Sequence, residues 1–153
     1  MIRAKPMLLN LSTQKLASKC KALISLEGLP ATAASEMAAA VPGVLLLATA
    51  KLQQRWLFLR AAAAISPRWR AEWPRLSPSC LGVLLNSSDR RLARLRFVYA
   101  AREAAGVPLF NAVVMPDAAF ATRFEGHARW WAREQAGGGG GAASGGGGGA
   151  ALS

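Results

Sequence analysis

The tetrapeptide Gly-Val-Leu-Leu occurs twice, at residues 43–46 and 82–85, and the 39-residue offset between the copies continues without a gap. Lys51 falls on Arg90, Arg55 on Arg94 and Phe58 on Phe97. Self-similarity at this period constrains a chain to a stack of like units, each unable to bury its apolar face except against a neighbour. The two copies share one grammar. A proline (Pro42, Pro78) precedes a short apolar segment, as suits an early helical position. Small polar residues that can cap a helix follow, Thr49 in the first copy and Ser88 or Asp89 in the second. A longer helix is then expected, from about Lys51 to Ala64 and from about Arg90 to Ala105, with Ser66-Pro67 ending the first and Gly106 and Pro108 the second.

No stretch of this span alternates with period two, and Ala and Leu dominate it, so the predicted fold class is all α. The expected architecture is a short helical-repeat solenoid of two to three units, followed by a disordered glycine-rich tail. A helix beginning near Leu29-Pro30 precedes the first unit, and a weaker third copy spans residues 113–124, keeping Arg123-Phe124 as the second keeps Arg96-Phe97.

The repeats account for residues 22–135, and residues 136–153 are almost entirely Gly, Ala and Ser. Residues 1–21 contain Arg3, Lys5, Lys15, Lys19 and Lys21 and no acid, the composition of either an organelle transit peptide or a solvated first helix. The most apolar run, residues 37–50, holds 14 residues and is interrupted by Pro42. It falls short of the ~18–20 a spanning helix needs and reads as a buried helical segment.

The charge of +11 is unevenly placed. Residues 1–97 carry 15 Lys and Arg against Glu27, Glu36, Glu72 and Asp89, whereas residues 98–153 are neutral. A localised basic excess points to a polyanionic partner, although the preference for Arg over Lys also fits a GC-rich coding sequence. On the second long helix Arg90 and Arg94 share a face by the i, i+4 rule, with Arg91 beside them, and Lys51 and Arg55 repeat the pair one unit earlier. Side by side, such pairs form a ladder of cations along which a phosphate backbone can run. Phe58 and Phe97 lie near the same faces, so the alternative is a solvated face whose alkyl stems cover packed rings. Asp89 can cap the helix and partly neutralise Arg90. A second group, Arg60, Arg68, Arg70 and Arg75, encloses Trp69 and Trp73, which read as core anchors ahead of base-stacking platforms.

With these residues in view, the chain resembles the mitochondrial transcription termination factor family, the mTERF-like helical-repeat proteins of mitochondria and plastids. The residues that carry the likeness are Gly28-Leu29-Pro30, then Val41-Pro42-Gly43-Val44-Leu45-Leu46, then Leu52-Gln53-Gln54-Arg55-Trp56-Leu57-Phe58-Leu59. Trp73-Pro74-Arg75-Leu76 through Ser88 to Phe97 resemble much of another unit, and the likeness covers about residues 22–130. The proline that the family often sets before the helix Arg is Gln54 in the first unit and Ala93 in the second. The resemblance implies a superhelix whose basic concave surface binds double-stranded nucleic acid, in mitochondrion or chloroplast, for transcription or transcript maturation.

The binding residues expected are Lys51, Arg55, Arg68, Arg70, Arg90, Arg91, Arg94 and Arg96, and the partner is double-stranded DNA or structured RNA, with no small-molecule substrate, no membrane and a monomeric state. Catalysis is not expected: there is one His, no Walker loop, and the glycine tail has neither a preceding strand nor a following Lys. No cofactor is expected, and His127 alone makes no metal site. Cys20 and Cys80 lack the spacing of a zinc site or a disulfide framework. The alternative from another class is a small structural subunit of an organelle membrane complex.

Overall fold

The computed structural model describes residues 12–137. Residues 1–11 and the glycine tail from residue 138 lie outside the described residues, and with them part of the leader expected over 1–21 and most of the tail expected over 136–153. Within these, every regular element is a helix. The α-helices are α1 (Thr13–Ile24), α2 (Ala31–Ala40), α3 (Thr49–Ile65), α4 (Pro67–Glu72), α5 (Pro78–Leu85), α6 (Asp89–Ala100), α7 (Leu109–Val114), α8 (Asp117–Arg123) and α9 (His127–Gly137). Two 3₁₀ turns, Pro42–Leu46 and Trp73–Arg75, sit between them.

Most of the punctuation legible in the sequence is used. Ser88 caps α6 by accepting a hydrogen bond from the Arg91 amide, and Ser77 does the same for α5 from Cys80, satisfying amides that a helix start leaves orphaned. Asp89 is not the cap; it is the first residue of α6. Pro30 precedes α2 and Ser66-Pro67 separates α3 from α4. α6 ends at Ala100, five residues before the expected stop, because the amides of Glu103 and Arg102 turn back onto the carbonyls of Val98 and Tyr99. That reversal places Arg102 at φ +61°, in the left-handed region where glycine usually closes a helix. At the far end α9 runs to Gly137, past the expected boundary at residue 135.

The two Gly-Val-Leu-Leu copies adopt different helices. The first lies in the 3₁₀ turn Pro42–Leu46 and the second in α5. The apolar run 37–50 is accordingly broken into the end of α2, the 3₁₀ turn and the start of α3, and among the described residues no helix is long and apolar enough to cross a membrane. In both copies the glycine marks a close approach. A Cβ at Gly82 would stand 2.9 Å from Met37 Cγ and 3.0 Å from Val41 Cβ, and one at Gly43 would stand 2.7 Å from the Asn86 amide nitrogen.

α3 packs on α1 and on α6, while α5 packs on α2 and on α7. One continuous core runs through these contacts, from Leu23 and Met37 through Leu59, Leu84 and Leu95 to Leu109, Val113 and Phe120. Trp69 is fully buried and donates to the Val107 carbonyl at 2.8 Å. Trp56 donates to Glu27 and lies tilted on Trp73. These tryptophans anchor the core, the indole N–H groups of Trp56 and Trp69 finding the acceptors that burial demands. Cys20 and Cys80 are free thiols.

Candidate nucleic-acid interface

The basic residues of the two repeated helices divide by direction. Arg55 and Arg94, the pair that the 39-residue offset superimposes, are buried, at 8% and 2% exposure. Each reaches from its own helix to the junction of two others, Arg55 to that of α5 and α6 and Arg94 to that of α7 and α8. The Arg55 guanidinium donates to the Leu85 carbonyl at 2.7 Å and to the Asp89 carboxylate at 2.7 Å. Arg94 donates to the carbonyls of Val113 at 3.3 Å and Met115 at 2.6 Å, and to Asp117 at 2.5 Å. An open ladder through Arg55 and Arg94 is therefore corrected: both are clasps between neighbouring helices. The physical reason is helix termini. The carbonyls that close α5 and α7 are orphaned acceptors at the negative end of a helix, and Asp89 and Asp117 stand in the first turns of α6 and α8, where an acid is favoured. A guanidinium placed there meets both at once.

Lys19 makes the same gesture one step earlier, its ammonium donating at 2.5 Å to the Leu47 carbonyl beyond the first 3₁₀ turn. No acid follows there, because the position matching Asp89 is Ala50.

Around each clasp a second cation closes on the same carboxylate. Lys51 pairs with Asp89 at 3.1 Å and Arg91 with Asp117 at 3.3 Å. The Asp89 carboxyl is held below the usual carboxylate range by hydrogen bonds from Arg55 and then Lys51. At Asp117 desolvation pushes upward, but the charge and hydrogen bond of Arg94, with Arg91, outweigh it and hold the acid low. Arg90 is exposed and forms no ion pair among the described residues. Asp89 thus partners Arg55 and Lys51 rather than Arg90.

The net result is an edge where five cations (Lys51, Arg55, Arg90, Arg91, Arg94) face two acids, Asp89 and Asp117. It runs along the starts of α3, α6 and α8, and helix N-termini add positive potential of their own. Lys51, Arg90 and Arg91 are the members with side chains toward water, Lys51 at 45% and Arg91 at 40%.

The remaining expected residues lie elsewhere. Arg68 pairs with Glu72 at 2.7 Å and donates to the Ala105 carbonyl, while Glu72 also accepts from the Leu109 amide at the start of α7. Arg70 donates to the Ala64 carbonyl at 2.6 Å. Both brace α4. Arg96 turns toward α9, pairing with Glu134 and lying over the Trp130 ring at 5.8 Å. Between α3, α6 and α9 lies a groove of about 730 Å³, bordered by Lys51, Gln54, Phe58, Arg96 and Trp131. Among the described residues no three His, Cys, Asp or Glu side chains converge as a metal site.

Sequence reasoning missed Lys19, Asp117 and Glu134 as partners. Asp117 carried one signal, an acid at a helix start, as at Asp89. The spacing hid it, since Asp117 follows Asp89 by 28 residues rather than 39. No family model matches the chain, and no curated protein or solved structure does.

Proposed function

We propose that the protein is a non-enzymatic binder of double-stranded nucleic acid, acting in organelle transcription or transcript maturation as a short helical-repeat solenoid. The observation that carries this reading is the edge of α3, α6 and α8, whose charge stays positive after every ion pair is counted. A phosphate backbone is met by Lys51, Arg90 and Arg91, while Arg55 and Arg94 fix the spacing between the helices that present them. Phosphate contacts of this kind position a duplex and give salt-dependent affinity without reading its sequence.

The test is fluorescence anisotropy of duplex DNA and duplex RNA with the full chain across a salt series. A Lys51→Ala/Arg90→Ala/Arg91→Ala variant is compared with Arg123→Ala/Arg129→Ala/Arg133→Ala, which removes the same charge from α8 and α9. Circular dichroism establishes that both remain helical. The edge variant is expected to weaken binding and to flatten the slope of log K against log salt by about one unit per lost phosphate contact, the control by much less. Equal losses in both variants, or no binding by the parent chain, would overturn the reading.

A further inference from the structure

We propose that His127 is a proton-operated latch: on acidification its imidazole takes up a proton, α9 leaves its seat on α6, and Arg96 and Phe97 are uncovered. His127 is the single histidine of the chain and the first residue of α9. It is 4% exposed, and its Nε2 is buried without a hydrogen-bond partner. The ring is enclosed by aromatic faces from three helices. Phe97 of α6 lies at 5.1 Å, Phe120 of α8 at 4.8 Å, and Trp130 of α9 itself is stacked at 5.9 Å.

A neutral imidazole suits that site and an imidazolium does not. Protonation at Nε2 would create a buried donor with nothing to receive it and a charge cut off from water. The charged neighbours on the packed elements are Arg94 and Arg90 of α6, which oppose a further positive charge, and Asp117 of α8, which favours one. Asp117 is already engaged by Arg94 and Arg91. Burial first, and then the two arginines, push the His127 imidazole below its usual value.

Linkage gives the direction. The docked form refuses a proton that the opened form accepts. Docking is therefore fully favoured above the usual imidazole value of about 6.5, and weakens as pH falls below it. Relief comes through α9 because that helix is held mainly on α6, by the Trp130–Phe97 contact and the Arg96–Glu134 pair. A peripheral helix with one such seat belongs to the low-stability end of a fold.

Native-state hydrogen exchange on the full chain tests this, with protection factors for α9 and α3 corrected for intrinsic rates between pH 7.5 and 5.5. Protection of α9 is expected to fall by up to tenfold for each pH unit below about 6.5, and the NMR titration of this lone histidine to report a midpoint below that value. In His127→Phe and, independently, His127→Gln, the fall is expected to vanish. Protection in α9 that stays level while that of α3 falls would show that His127 is exposed only on global unfolding, and would overturn the latch. So would an ordinary midpoint, or a fall that persists in a folded His127 variant.

Discussion

The junction between α3 and α6 and the junction between α6 and α8 are built from the same parts, yet they differ in depth. At the first, Arg55 pairs with an acid whose side chain is 65% exposed and lies near an open groove. At the second, Arg94 is 2% exposed, lies 4.3 Å over the Phe120 ring, and leaves its Nε without a partner. Burial pushes the Arg94 guanidinium down from its usual value despite the opposing pull of Asp117. An identical sequence letter thus has two settings, Arg55 bordering an open groove and Arg94 enclosed by the aromatic cluster of α8 and α9.

The largest expected effect separates these settings directly. Arg94→Ala removes three acceptors' partner and the ring contact at once. It is expected to cost about 3 kcal/mol, the lower end of the range for breaking a buried pair because Asp117 can regain water. Arg55→Ala is expected to cost about 2 kcal/mol, as hydrogen bonds from a charged group to a better-hydrated site are lost. Urea midpoints at constant m-value check the order; equal costs would mean that depth of burial does not govern the clasp.

The repeated glycines sharpen the same contrast. Gly82→Ala drives a methyl into Met37 and the Val41 Cβ, inside a helix contact that cannot spread freely, and is expected to cost 1–3 kcal/mol in the rough range for overpacking. Gly43→Ala meets only the end of the Asn86 side chain, which can swing aside, so a loss below about 1 kcal/mol is expected. Thermal midpoints of the two variants measure the difference.

The helix exits differ as well. α3 leaves through extended Ser66 into Pro67, whereas α6 turns back through Arg102 at φ +61°. Arg102→Gly relieves that strain and is expected to stabilise the chain by up to about 1 kcal/mol, read from the urea midpoint.

The smallest expected effect is one of pH. Asp89 and Asp117 are held below the usual carboxylate range. Their contribution is therefore complete above that range and is lost as pH falls through their lowered folded values. Both side chains are more than half exposed, so solvent limits the contribution of each pair. Stability measured from pH 5 to pH 2 is expected to decline less steeply in Asp89→Asn and Asp117→Asn than in the parent chain.

Much of the helical order was legible because helix ends are local events. Ser88 caps α6, Pro30 precedes α2 and Ser66-Pro67 ends α3, each through geometry that a few neighbouring residues impose. The end of α6 was misread because Gly106 was the visible stop, while the chain in fact reverses at Arg102, a residue that rarely accepts that conformation. For the candidate site the i, i+4 rule set Arg90 and Arg94 on one face, and it could not say that Arg94 turns inward to the end of α7 and the start of α8 while Arg90 faces water.

By itself, then, the sequence determined an all-α chain, its punctuation, a 39-residue internal likeness and a positive charge confined to its first two-thirds, since propensity, periodicity and charge are properties of neighbours along the chain. Tertiary structure decided that Gly-Val-Leu-Leu becomes a 3₁₀ turn once and an α-helix once, that Arg55 and Arg94 turn inward, and that Lys51, Arg90 and Arg91 face water. The reason is that a guanidinium's direction depends on where unpaired carbonyls and carboxylates lie in space. Those acceptors come from residues 19 to 34 positions away, brought within reach only when the helices pack.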